Sequence, residues 1–174
     1  MVDNIYLGLG SNKGDRLSYL KAAVAKINGD EKTLFKGFSS VYETEPYGLK
    51  EQNLFFNAVI QISSERSLEE LCPWIKALER EIGRQDGPKW GPREIDIDLL
   101  FYNDTIYSDH RLTVPHKEVL CRDFVLVPLI EIAPEFEHPV IKTKIKDIDI
   151  SHIEKLIIKK YSINLLDLQD SPDL

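Results

Sequence analysis

The chain has 174 residues, 43% of them hydrophobic, and a formal net charge of −7. That length favours one compact domain, and that apolar content excludes a disordered chain. The negative charge argues against sequence-independent nucleic-acid binding, no apolar run approaches the roughly 18 residues that span a bilayer, and Met1-Val2-Asp3-Asn4 lacks the basic and apolar regions of a secretory signal.

Residues 4–10 read as a short strand, followed by a turn cluster, Gly10 to Asp15, rich in capping residues. Leu17, Leu20, Ala23, Val24 and Ile27 recur at helical spacing, and Gly29-Asp30 stops that helix. Residues 34–43 are β-branched and aromatic enough for a second strand, Thr44 to Gln52 is loop, and 54–63 is a third strand. Ser67 and Glu70 form a capping-box pattern ahead of a helix whose apolar stripe is Leu68, Leu71, Trp74, Ile75, Leu78 and Ile82, with Gly83 past its end. A polar loop then leads to a strand at 95–101. A short hairpin (105–107 with 112–114) and a helix near 122–132 follow. Cys72 and Cys121, far apart in apolar surroundings, read as reduced, buried thiols of a cytoplasmic protein.

The order β-α-β-β-α-β is the split-βαβ, ferredoxin-like pattern. It predicts an α+β fold with a four-stranded, mainly antiparallel sheet, helices on one face, and C-terminal additions. A single domain is expected, with its core at about 4–140; the extension from about 141 reads as a packed helix and a frayed end.

The strand at 95–101 carries the chemistry. Alternation puts Asp96 and Asp98 on one face, about 6.6 Å apart at two rises of ~3.3 Å, with Ile95, Ile97 and Leu99 towards the core. Two carboxylates that close repel unless a cation lies between them, and Mg²⁺ characteristically takes one or two carboxylates plus substrate phosphates. Arg84, Lys89 and Arg93 flank this pair in a loop shaped by Gly87-Pro88 and Gly91-Pro92, which suggests phosphate clamping. Trp90 is expected to be exposed, and the loop 85–93 to close over bound ligand. A second cluster joins Arg111, His116 and Arg122. His110, His138 and His152 have no zinc-ligand spacing. Gly8 to Gly14 matches neither a Walker A motif nor G-x-G-x-x-G, and reads as a strand-to-helix turn.

The stretches GLGSNKGDR (8–16), YETEPYG (42–48), FFNAVIQI (55–62), LEREIGR (78–84), KWGPREIDIDLLFY (89–102), LTVPH (112–116) and RDFVLVPLIEIAPE (122–135) together resemble the 6-hydroxymethyl-7,8-dihydropterin pyrophosphokinases of folate biosynthesis. The resemblance implies transfer of diphosphate from ATP to the pterin hydroxymethyl group with release of AMP. It implies Asp96 and Asp98 as ligands of two Mg²⁺ ions, and Arg84 and Arg93 as catalytic cations. It implies a pterin site of Thr44, Tyr47, Phe55, Asn57 and Phe124, with Phe55 where many members have Tyr. The ATP site it implies comprises Glu79, Arg84, Lys89, Trp90, Arg93, Leu99, Arg111, Thr113, His116 and Arg122. A cytoplasmic monomer that engages neither nucleic acid nor membrane is expected. Two competing readings are a non-catalytic ferredoxin-like small-molecule-binding domain, which needs no carboxylate pair, and a Mg²⁺-dependent phosphohydrolase, which needs no aromatic slot.

Overall fold

Alternating apolar side chains make three long strands the centre of the molecule: β1 (Val2–Ser11), β4 (Phe55–Ser64) and β5 (Asp96–Tyr102). The computed structural model describes residues 1–88 and 91–167. The sheet runs β5-β1-β4-β3-β8, with β2 (Thr33–Phe38) also on β4; β3 is Val41–Thr44 and β8 is Ile157–Tyr161. Every pairing is antiparallel. The expected strand over 34–43 is therefore two strands. Ser39 divides them: its N–H donates to the Val59 carbonyl and its hydroxyl accepts from the Val59 N–H, so a side chain replaces one rung of the ladder.

One face of the sheet is covered by α1 (Arg16–Asn28) and α2 (Leu68–Ile82). Ile5, Leu7 and Leu9, Phe56, Ala58, Ile60 and Ile62, and Ile95, Ile97 and Leu99 meet the apolar stripes of these helices. The Ser67–Glu70 capping box is formed in both directions at the start of α2. The other face carries α3 (Asp123–Ile132), which packs Val125 and Leu129 on Tyr6, Val59, Leu100 and Phe101. Helices thus lie on both faces, where the ferredoxin-like expectation put them on one. Tyr6 pairs with Phe101 and Leu7 with Leu99, so Leu100 is an extra residue in β5. This bulge turns Leu100 and Phe101 both towards α3.

The four-stranded sheet is also corrected to six strands. The carboxyl-terminal segment, expected to be a helix, forms a 3₁₀ turn at Ile145–Asp147 and then β8, an edge strand paired with β3. The expected hairpin is present, shifted, as β6 (Tyr107–Ser108) and β7 (Thr113–Val114). Both cysteines are free, but Cys121 is exposed and Cys72 half-buried, contrary to the expectation of two buried thiols. Among the described residues no helix is long and apolar enough to cross a membrane.

Candidate active site

α3 covers only part of its face of the sheet. Beyond it, β1 contributes two residues with no side chain, Gly8 and Gly10, between β5 and β4. Gly8 pairs with Asp98 and Val59, and Gly10 with Asp96 and Asn57. A Cβ on Gly10 would lie 3.0 Å from Asn57 Oδ1. The pair therefore forms a low floor between the two aspartates and Asn57, the situation in which glycine is useful inside a strand. The expected turn at residues 10–15 hid this, because Gly10 and Ser11 belong to the strand. The readable signal was two glycines two residues apart.

A cavity of about 260 Å³ stands on this floor, and Thr44, Tyr47, Phe55, Asn57 and Phe124 all line it, with Arg93, Asp96, Asp98, His116 and Arg122. Asn57 is buried, and its Nδ2 donates to the Thr44 hydroxyl at 2.8 Å, which orients its carbonyl oxygen over Gly10. The Phe124 ring meets Tyr47 edge-on at 6.3 Å. The Arg122 guanidinium lies over both rings, 4.8 Å and 5.6 Å from their centroids, and pairs with Glu118.

A second cavity, about 730 Å³, adjoins the first at the edge of β5, between α2 and the β6–β7 hairpin. Leu99, Arg111, Thr113 and His116 line it, as do Cys72 and Lys76 of α2, which sequence reasoning did not select. Their signal was helical: Glu69, Cys72 and Lys76 share one face at i, i+3 and i+7. Asp98, His116 and Lys117 line both cavities.

Beside the smaller cavity sits a charged cluster. Asp96 Oδ1 accepts from Arg84 at 2.6 Å and Asp96 Oδ2 from Arg93 at 2.8 Å. Arg84 is also 2.7 Å from Glu79 Oε1. Glu79 is 1% exposed; the same Oε1 accepts from the Ile97 N–H at 2.7 Å, so this carboxylate satisfies an edge-strand donor and orients Arg84. Burial raises the Glu79 pKa against the opposing pull of Lys76, the Ile97 N–H and Arg84. Glu79 and Arg84 line neither cavity and act through Asp96 and the strand. Burial raises the Asp98 pKa, and the charge on Asp96 adds to it. Burial lowers the His116 pKa, although Asp98 opposes this. His116 Nδ1 accepts from the Glu118 N–H at 3.3 Å, which leaves Nε2 to carry the proton of the neutral ring.

Among the described residues no three His, Cys, Asp or Glu side chains gather as a metal cage. The donor set is the two aspartates, which fits a hard cation that completes its shell with water and phosphate oxygens better than a fully protein-bound metal. Asn12, wholly buried and also missed, anchors the loop before β5: its Oδ1 accepts from the Arg93 N–H at 2.8 Å. Its Nδ2 donates to the Asn53 carbonyl at 3.3 Å, which joins that loop to the one before β4. Lys89 and Trp90 lie outside the described residues.

The family profile described as 7,8-dihydro-6-hydroxymethylpterin-pyrophosphokinase (HPPK) matches residues 6–134. The chain is 42% identical over 143 residues to a 2-amino-4-hydroxy-6-hydroxymethyldihydropteridine pyrophosphokinase of Aquifex aeolicus, covering 82% of this chain and 88% of that protein. It is 39% identical over 132 residues to the protein of the same name from Bacillus subtilis, covering 76% and 79%. Its fold is similar to that of Plasmodium falciparum HPPK-DHPS, with a TM-score of 0.66 at 14% identity, over 85% of this chain and 44% of that one. The chain thus spans under half of that longer protein, and the likeness concerns the fold alone.

Proposed function

The chain belongs to the 7,8-dihydro-6-hydroxymethylpterin-pyrophosphokinase family, and from that premise we propose how its own residues divide the work. The reaction is transfer of diphosphate from ATP to the hydroxymethyl group of 6-hydroxymethyl-7,8-dihydropterin, with release of AMP, in folate biosynthesis. The non-catalytic binding-domain reading is not favoured.

The observation that carries the assignment is the pair of adjoining cavities with Asp98 and His116 in their common wall. The smaller one offers two phenylalanines and the oriented Asn57 carboxamide, which suits a flat ring bearing an amide edge. The larger one offers Arg111, Lys76, Thr113 and the apolar Leu99, which suits a nucleotide. The hydroxymethyl oxygen enters from one side and attacks the β-phosphorus; the bond from that phosphorus to the α,β-bridging oxygen breaks, AMP leaves with that oxygen, and the hydroxyl proton passes to solvent water. Arg93, which lines the smaller cavity and rests on Asp96, is the cation placed to trade that carboxylate for phosphate oxygens as charge spreads over the transferred group, while Arg84, held between Glu79 and Asp96, supports it from behind. His116 Nε2–H is a further donor to phosphate at the boundary.

Asp96 and Asp98 would hold two Mg²⁺ ions. When bound, these would neutralise charge on the phosphate oxygens and relieve the repulsion between the two carboxylates. A coupled assay of AMP release with ATP, Mg²⁺ and 6-hydroxymethyl-7,8-dihydropterin tests the assignment. Turnover that needs ATP and Mg²⁺ but not the pterin would replace it with the phosphohydrolase reading.

A further inference from the structure

Two walls of the smaller cavity come from separate pieces of chain: the loop that begins at Thr44 and carries Tyr47, and the start of α3 at Arg122–Phe124. A third piece joins them. Asp123, 2% exposed, accepts through Oδ2 from the backbone N–H of Leu156 at 2.8 Å and of Ile157 at 3.0 Å. The carbonyl of the same Leu156 accepts from the Glu45 N–H at 2.9 Å. From there β8 continues along β3, with Ile157 opposite Thr44. Leu156 and Ile153 are themselves buried.

One residue of the carboxyl-terminal segment is therefore bonded to both walls. Asp123 lines neither cavity, so it touches no substrate. Its other oxygen, Oδ1, is buried with no hydrogen-bond partner among the described residues, which makes the side chain a poor stabiliser on its own account. Its two bonds to the segment are of the strong, charge-assisted kind.

We infer that Asp123 and the segment from Ile153 to Ile157 are a positioning brace for the pterin slot, setting the spacing of the Tyr47 loop from Phe124. This rests on the pterin reading of the smaller cavity. Phe124 is one of the two rings expected to stack on the pterin and Tyr47 meets it edge-on, so a shift of this wall by about 1 Å can cost large factors in rate or affinity. The nucleotide cavity, built on α2, β5 and the β6–β7 hairpin, has no member bonded to this segment through Asp123.

The test uses the full chain with Asp123→Ala, Asp123→Asn and, as a control, Lys50→Ala, which breaks only the exposed Lys50–Glu154 pair. Steady-state kinetics and amide hydrogen exchange are both read. Asp123→Ala is expected to raise KM for the pterin about tenfold or more, while KM for ATP stays within about twofold. The Glu45 amide loses protection, and the amides of β1 and β4 keep theirs. Asp123→Asn retains an acceptor oxygen and recovers most of the loss; Lys50→Ala changes nothing. A pterin KM that is unmoved despite an exposed Glu45 amide overturns the inference. So does a parallel rise of both KM values with protection lost throughout. Should Asp123→Ala fail to fold, Asp123→Asn decides: a pterin-only rise of about threefold is expected from the weaker, uncharged acceptor, and none overturns the brace. Wild-type protein that releases no AMP would remove the pyrophosphokinase reading itself, a result distinct from active wild-type protein with an indifferent variant.

Discussion

Gly10→Ala separates site geometry from stability. The new methyl would stand 3.0 Å from Asn57 Oδ1 and 3.8 Å from Phe55 Cδ1. The backbone of Gly10 lies outside the left-handed region, so alanine adopts it without strain. Removing a glycine from the unfolded chain contributes about 0.4–1 kcal/mol of stability. Asn57 must yield by a few tenths of an ångström, and it is tethered by the 2.8 Å bond to Thr44. Disturbing that bond and the one expected to the pterin costs about 0.5–1.5 kcal/mol each. The bond to the pterin corresponds to a loss of affinity of about 2- to 13-fold, while the Thr44 bond, already made in the free protein, bears on stability instead. Gly8→Ala is the comparison: its methyl would meet Leu100 at an ordinary 3.5 Å, and affinity should fall far less. Calorimetric titration with the pterin and with a non-hydrolysable ATP analogue, beside a thermal melt, makes the measurement. An unchanged pterin affinity for Gly10→Ala, with melting preserved, would refute the crowded-floor argument.

Asp96→Asn or Asp98→Asn should lower kcat by about 10²-fold or more with the circular dichroism spectrum unchanged, since removing one transition-state stabiliser costs that much; normal Mg²⁺-dependent turnover would remove these residues from the mechanism. Phe124→Ala should weaken the pterin by about 0.5–1.5 kcal/mol beyond the area lost and leave ATP binding alone, as read by calorimetry. Asp30 is held by Arg66 in a two-bond pair at 2.7 and 2.9 Å, and that pairing keeps its pKa below the usual value of 3.8. A depressed carboxylate pKa stabilises above the unfolded value and loses that contribution as pH falls through the folded one. Asp30→Asn should therefore cost about 1 kcal/mol near neutrality, with the gap to the wild type closing as pH falls below about 4; a gap that persists at pH 2 in urea melts would contradict it.

What could be read from sequence was what depends on near neighbours. A period of two over 95–99 sufficed to put Asp96 and Asp98 on one face and Ile95, Ile97 and Leu99 on the other. The capping box at Ser67 and Glu70 and the stripe of α2 follow from spacings within a few turns. The run Asp98-Leu99-Leu100-Phe101-Tyr102 has no alternation to read, so the bulge that turns both Leu100 and Phe101 onto α3 was settled by the register against β1. The break at Ser39 was settled likewise by the Val59 amide on another strand. β8 is short and lysine-bearing, a weak strand signal alone; it becomes a strand because β3 offers an unpaired edge and Asp123 holds its first amides. Which aspartate pairs with arginine and which is enclosed beside His116 was also beyond the local pattern. Both carry the same side chain on the same strand; beside the nearby Arg93, groups brought from residues 79, 84 and 116 distinguish them. Local periodicity determines which way a side chain faces; its partners, and therefore its charge state, depend on chain segments far away in sequence that only the folded sheet brings within a few ångströms.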